Sequence, residues 1–158
     1  MRAFVIVFLL FFCVTPLSAQ EPRSLPRFAA LRSDMVNLRT GPGFRYPIDW
    51  VLTRRNMPVE ITDVYEQWRK IRLIDETEGW VHQTALSGKR HFIAFEESIL
   101  YRKAGKHSPV IAYIDAGVQM KMVACPKKKD FCEVDVEGIK GYISRASLYG
   151  LYPHEFTK

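Results

Sequence analysis

The chain has 158 residues and a formal net charge of +6. Its Arg, Lys, Asp and Glu are scattered, which argues for an ordinary solvated surface with a cationic bias. The histidines His82, His91, His107 and His154 lack a paired metal-ligand spacing, and no nucleophile elbow or phosphate loop is present, so the residues argue against a zinc site and against catalysis.

At the N-terminus Arg2 supplies a positive charge, Ala3 to Val14 an apolar run, and Pro16 to Ala19 a small-residue exit. That pattern predicts a signal peptide over residues 1–19, cleaved after Ala19. The apolar run is short of the roughly 20 residues needed to span a bilayer. Bulky Phe11 and Phe12 before Cys13 argue against lipoprotein processing. The mature chain is therefore expected to be exported, periplasmic or secreted, without an integral membrane span. Export argues against nucleic acid as a partner. A cationic exported domain would meet anionic envelope material such as peptidoglycan carboxylates or lipid phosphates, although the charge would equally serve solubility alone.

Residues 20–27, with Pro22 and Pro26, read as an extended linker, and structure is expected to begin at Phe28. Short β-type runs then follow, separated by Gly, Pro, Asn and Asp, with no sustained helical period. In the first half strands are predicted at 28–31, 36–39, 48–52, 59–64, 68–73 and 78–81. Residues 59–64 and 68–73 alternate as half-buried strands do. Tyr65-Glu66-Gln67 and residues 75–77 are read as turns, and residues 82–86 as a single helical or 3₁₀ turn.

The second half repeats this order, with strands predicted at 91–95, 99–102, 110–114, 118–124, 131–136 and 140–143 and a closing turn over 144–148. Met120-Lys121-Met122 corresponds to Val59-Glu60-Ile61, and Phe131 to Trp68. A period of about sixty residues is too long for a solenoid unit and suits two small β-barrels in tandem. The predicted organisation is a first domain over 28–88, a second over 89–152 and a tail over 153–158. The short connection near Gly88 to Arg90 leads us to expect that the two pack together.

Removal of the signal segment leaves two cysteines, Cys125 and Cys132, and an even pair in an exported chain reads as a disulfide. It would clamp the hairpin that corresponds to residues 64–69 of the first copy. A redox pair would need another setting, typically two intervening residues at a helix start. Lys127 to Lys129 at the hairpin tip read as a solvated turn that blunts strand edges.

The run Asn37-Leu38-Arg39-x-Gly41-Pro42-Gly43, Trp68 ahead of alternating strand residues, and Gly79-Trp80-Val81 together resemble the bacterial SH3-like (SH3b) domain. The match covers residues 34–88 well and 91–150 more weakly. The layout of signal peptide plus two SH3-like units, with the cysteine pair in the second, is similar to exported proteins of alphaproteobacteria. The resemblance implies an all-β fold of two partly open SH3-like barrels that bind cell-wall peptide or glycan, often beside a hydrolase. A non-catalytic module for peptidoglycan or an envelope protein is the function it implies. A protein-interaction scaffold and a targeting subunit for a separate hydrolase are the alternatives.

Candidate ligand-binding residues are Asn37, Arg39, Tyr46, Trp50, Tyr65, Trp68 and Trp80. Their aromatic faces suit sugar rings and flat peptide backbones, while Arg39 and Asn37 offer hydrogen bonds. Trp68 and Trp80 are read chiefly as partly buried barrel residues, which leaves Tyr46, Trp50 and Tyr65 as the better groove candidates. Leu38, Ile61, Ile71 and Val81 are the expected inward face. In the second copy Tyr142 and Phe131 replace the tryptophans, and Lys103-Ala104-Gly105-Lys106 replaces the Gly-Pro-Gly loop. Binding is therefore expected on the first copy.

Overall fold

The computed structural model describes residues 24–126, 129–153 and 155. The expected signal peptide, Cys13, residues 20–23 of the linker, Lys127 and Lys128 at the hairpin tip, His154 and residues 156–158 lie outside the described residues.

The first half contains β1 (Arg27–Leu31), β2 (Val36–Arg39), β3 (Ile48–Leu52), β4 (Pro58–Tyr65), β5 (Trp68–Arg72), β6 (Glu78–His82) and β7 (Leu86–Ser87). The second contains β8 (His91–Ala94), β9 (Ser98–Tyr101), β10 (Val110–Ile114), β11 (Gln119–Ala124), β12 (Phe131–Val136), β13 (Ile139–Ser144) and β14 (Leu148–Tyr149). Single 3₁₀ turns at Gln83–Ala85 and Arg145–Ser147 precede the last short strand of each half. Pairing begins at Arg27, one residue inside the segment read as linker.

Each half is one antiparallel seven-stranded sheet, ordered β3-β2-β6-β5-β4-β1-β7 and β10-β9-β13-β12-β11-β8-β14. The orders are identical after a shift of seven strands, so the duplication holds at the level of topology. The barrels are open, as expected: among the described residues β3 and β7 are the edges of the first sheet and β10 and β14 those of the second, so neither sheet closes. Residues from strands far apart in the order still share a core. Leu38 of β2, Ile61 of β4, Ile71 of β5 and Val81 of β6 pack with Ala29 and Leu31 of β1. Phe92, Leu100, Met120, Val134 and Ile143 form the equivalent core of the second half.

Period-two alternation explains most of this burial, since successive strand side chains face opposite sides. In β2, Val36 and Leu38 are buried while Asn37 is exposed. Glycine is required where the strands cross most closely. A Cβ on Gly79 would lie 2.6 Å from the Leu38 side chain, and one on Gly141 would lie 2.6 Å from that of Leu100. Small size at these positions lets the two leucines occupy the centre of each core.

Cys125 and Cys132 form a disulfide with a Cα–Cα separation of 4.3 Å, bridging the β11–β12 connection. Both are fully buried in the second core.

The alternation fails in β4, where Pro58, Val59, Glu60 and Ile61 are all buried. The cause is the junction between the halves. Glu60 receives two hydrogen bonds from Arg72, at 2.9 and 2.5 Å, and one from the Tyr152 hydroxyl at 2.5 Å. Phe28 packs against Tyr149 and Tyr152 with ring centroids 5.2 and 4.8 Å apart. The Tyr149 hydroxyl donates to Arg72 O at 3.2 Å. At the other side of the junction Arg54 donates to Gly117 O and Gln119 to Arg55 O. Burial raises the pKa of both tyrosines above the usual phenol value, and Glu60 adds to the effect. The segment after β14 is tied back as well: Arg90 pairs with both carboxylate oxygens of Glu155 and donates to Gly150 O at 2.6 Å.

Candidate functional site

The outward face of the first sheet carries a stripe of aromatic residues, and antiparallel register places them. Trp68 pairs with His82, Lys70 with Trp80, and Tyr65 with Trp68 across the Glu66-Gln67 turn. Directly opposed residues share a face, so Tyr65, Trp68, Trp80 and His82 stand on one side while Val81 and Ile71 stand on the core side.

The β2–β3 loop folds over this stripe. Phe44 meets Trp68 edge-on at 5.0 Å and stacks on His82 at 5.8 Å. Phe44 itself is 73% exposed, whereas Trp68 beneath it is 7% exposed. Trp68 does not belong to the first core cluster. It is buried, as expected, but by a loop on the outer face rather than by the inside of a barrel.

Arg39 and Tyr46 shape that loop. Arg39 Nη1 donates to Phe44 O at 3.2 Å and to Tyr46 O at 2.7 Å, and the guanidinium lies 5.6 Å from the Phe44 ring centroid. The ring of Tyr46 rests on Gly41, where a Cβ would come within 2.4 Å of it. The Arg45 guanidinium lies over that ring, 5.2 Å from its centroid. Its pKa is held above the ordinary guanidinium value, first by the hydrogen bond to the Tyr46 hydroxyl, then by the charges of Tyr46 and Tyr65. Lys70 and Glu78 form an ion pair at 2.5 Å.

The seven residues expected to bind ligand do not form one groove. Tyr65, Trp68 and Trp80 share the stripe. Arg39 and Tyr46 position the loop that covers it. Asn37 is exposed on β2. Trp50 pairs with Leu38, which places it on the opposite side of the sheet, 58% exposed at the unpaired edge of β3. Sequence reasoning missed Phe44 and His82. Phe44 had a signal, as a large apolar residue immediately after a rigid Gly-Pro-Gly turn. His82 had another, because it continues the outward alternation from Trp80. Its ring is oriented by Thr84, whose amide donates to Nδ1 at 3.4 Å and whose hydroxyl lies 2.7 Å from the same atom.

Among the described residues, no helix is long and apolar enough to cross a membrane. Comparison with curated proteins gave no match. Solved structures similar to the chain include NlpC2 and NlpC1 from Trichomonas vaginalis, each 16% identical. The first match covers 78% of this chain and 48% of NlpC2 with a TM-score of 0.36; the second covers 89% of this chain and 50% of NlpC1 with a TM-score of 0.35. The chain thus spans about half the length of either protein. Residues 32–88 match the family described as bacterial SH3 domain, a segment that runs from the end of β1 through β7 and includes the whole aromatic stripe. The first unit of this chain therefore belongs to the bacterial SH3 domain family.

Proposed function

We propose that this chain is an exported, non-catalytic binding module for cell-wall peptidoglycan, and that it binds through the outer face of its first unit. The observation that carries this reading is Phe44 lying over Trp68 and His82, in line with Trp80 and Tyr65. A stripe of rings on a flat sheet face offers stacking surface to sugar rings and to extended peptide backbones. Arg45, exposed beside Tyr46, supplies a cation for a stem-peptide carboxylate. The Cys125–Cys132 disulfide fits an oxidising compartment, in keeping with the export pattern read in residues 1–19.

Sedimentation of the purified protein with purified peptidoglycan tests the reading. Pelleting at moderate salt is expected, with loss of it in Phe44→Ala combined with Trp80→Ala while the β-type spectrum stays unchanged. Failure of the native protein to pellet rejects wall binding; undiminished pelleting of the double variant rejects this face.

A second reading rests on the edge strand β3, where Ile48, Trp50 and Val51 are 46, 58 and 47% exposed beside unpaired backbone groups. Such an edge can accept an extended strand from an envelope protein or a hydrolase that the module would target. Recovery of one specific envelope protein in a pull-down, abolished by a proline at Val51, favours that reading over the first.

A further inference from the structure

The β2–β3 and β9–β10 loops correspond residue for residue. In the first, Thr40 N donates to Pro47 O and Tyr46 N to Gly43 O; in the second, Arg102 N donates to Pro109 O and Ser108 N to Gly105 O. The sheets beneath agree, since Trp68 pairs with His82 as Phe131 pairs with Ser144, and Arg39 pairs with Trp80 as Tyr101 pairs with Tyr142. Lys106 thus stands at the position of Phe44, and Ser144 at that of His82.

The exchange has a consequence for shape. In the first unit Phe44 covers the strand aromatic, leaving Trp68 7% exposed. In the second, a cavity of about 710 Å³ borders the strand aromatic, lined by Phe131, Ser144, Leu148 and Leu151, with Lys106 and His107 from the loop. Tyr101 packs edge-on against Phe131 at 5.8 Å and supports it from the side. Arg145 builds one wall, donating to Lys129 O, Glu155 O and Pro126 O, so it ties the disulfide hairpin to the segment after β14. Lys106 and Arg145 against Asp130 leave the lining cationic.

We propose that this cavity binds the aromatic side chain of an extended peptide at a residue adjoining a carboxylate. The ring takes the place that Phe44 fills in the first unit, edge-on to Phe131, and the carboxylate meets Lys106 and His107. Apolar walls from Leu148 and Leu151 exclude water from the ring, and the Lys106 cation selects against a basic neighbour. One buried ring and one exposed charge pair give an affinity on the order of millimolar. The site is separate from the stripe proposed to bind the wall, so the two are tested independently.

Amide chemical shifts of the full chain, followed by nuclear magnetic resonance, provide the test with acetyl-aspartyl-phenylalaninamide as probe. Saturable shifts at Phe131, Ser144 and Leu151 are expected, with unchanged signals at Phe44 and Trp68. Acetyl-aspartyl-alaninamide and acetyl-lysyl-phenylalaninamide should bind at least about fivefold more weakly. Lys106→Phe recreates the first unit's own cover and should abolish binding with the β-type spectrum intact; Lys106→Glu should weaken it about fivefold. The proposal is overturned if the full chain shows no saturable shifts there, if the alanine probe binds equally, or if Lys106→Phe binds as well as the native chain. Binding that appears only after removal of residues 156–158 assigns the cavity to the chain's own terminus and overturns it too.

Discussion

The hydroxyl of Tyr152 donates to Glu60 Oε1 at 2.5 Å, and through this bond the segment after the second sheet grips a carboxylate of the first. Glu60 is only 6% exposed, and Arg72 neutralises it from the other side. Tyr152→Phe keeps the ring against Phe28 and deletes only the donor. It should cost about 1.5 to 3 kcal/mol, the range for a hydrogen bond to a charged group, read as a lower urea midpoint with unchanged slope.

The same junction gives the protein an alkaline limit. Burial holds the pKa of Tyr149 and Tyr152 above the usual phenol value, because the phenolates would be poorly solvated and would face Glu60. The unfolded chain therefore releases these protons at a lower pH than the folded one. Their contribution to stability is complete below the unfolded value of about 10 and declines as pH rises above it. Urea midpoints should fall from pH 10 upward, and Tyr149→Phe combined with Tyr152→Phe should flatten that fall.

Gly79 and Gly141 should respond alike to substitution. Alanine at either places a Cβ 2.6 Å from a fully buried leucine, with a backbone oxygen 3.0 or 2.9 Å away, so little can yield. Each variant should lose about 1 to 3 kcal/mol in thermal or urea unfolding. A large loss at one and none at the other would show that the two cores are not equivalent.

The disulfide is expected to be structural. Cys125 and Cys132 should resist thiol labelling in the native protein and label only after reduction with unfolding, since both are fully buried. Replacing both with serine should lower stability by about 2 kcal/mol or more in the chain-entropy account of a short loop. Peptide mapping of non-reduced digests provides the direct check.

Phe44→Ala should uncover Trp68. Tryptophan emission is expected to shift to longer wavelength, with a modest stability loss of about 1 kcal/mol for the lost ring contacts. An unchanged spectrum would mean that Phe44 does not cover Trp68 in solution.

Much of the fold is legible along the chain because it depends on local alternation. Predicted and observed strands agree to within a residue or two, and Leu38, Ile61, Ile71 and Val81 lie in the core as expected. The correspondences of Phe131 with Trp68 and of Met120-Lys121-Met122 with Val59-Glu60-Ile61 follow the strand register. The candidate face is less legible. Trp50 and Trp80 look alike as isolated aromatics, yet the pairing of Trp50 with Leu38 and of Trp80 with Arg39 sends them to opposite sides of the sheet.

The sequence alone determines that there are two copies of one strand order, which residues alternate inward, and which two cysteines are close enough to pair, since each of these follows from spacing over a few residues. Tertiary structure decides the rest. It buries Glu60 against a tyrosine 92 residues away. It lays Phe44 over Trp68, and it leaves a cavity where Lys106 replaces that phenylalanine. These outcomes depend on which surfaces meet after the sheets form, and no short-range pattern encodes a contact between distant segments.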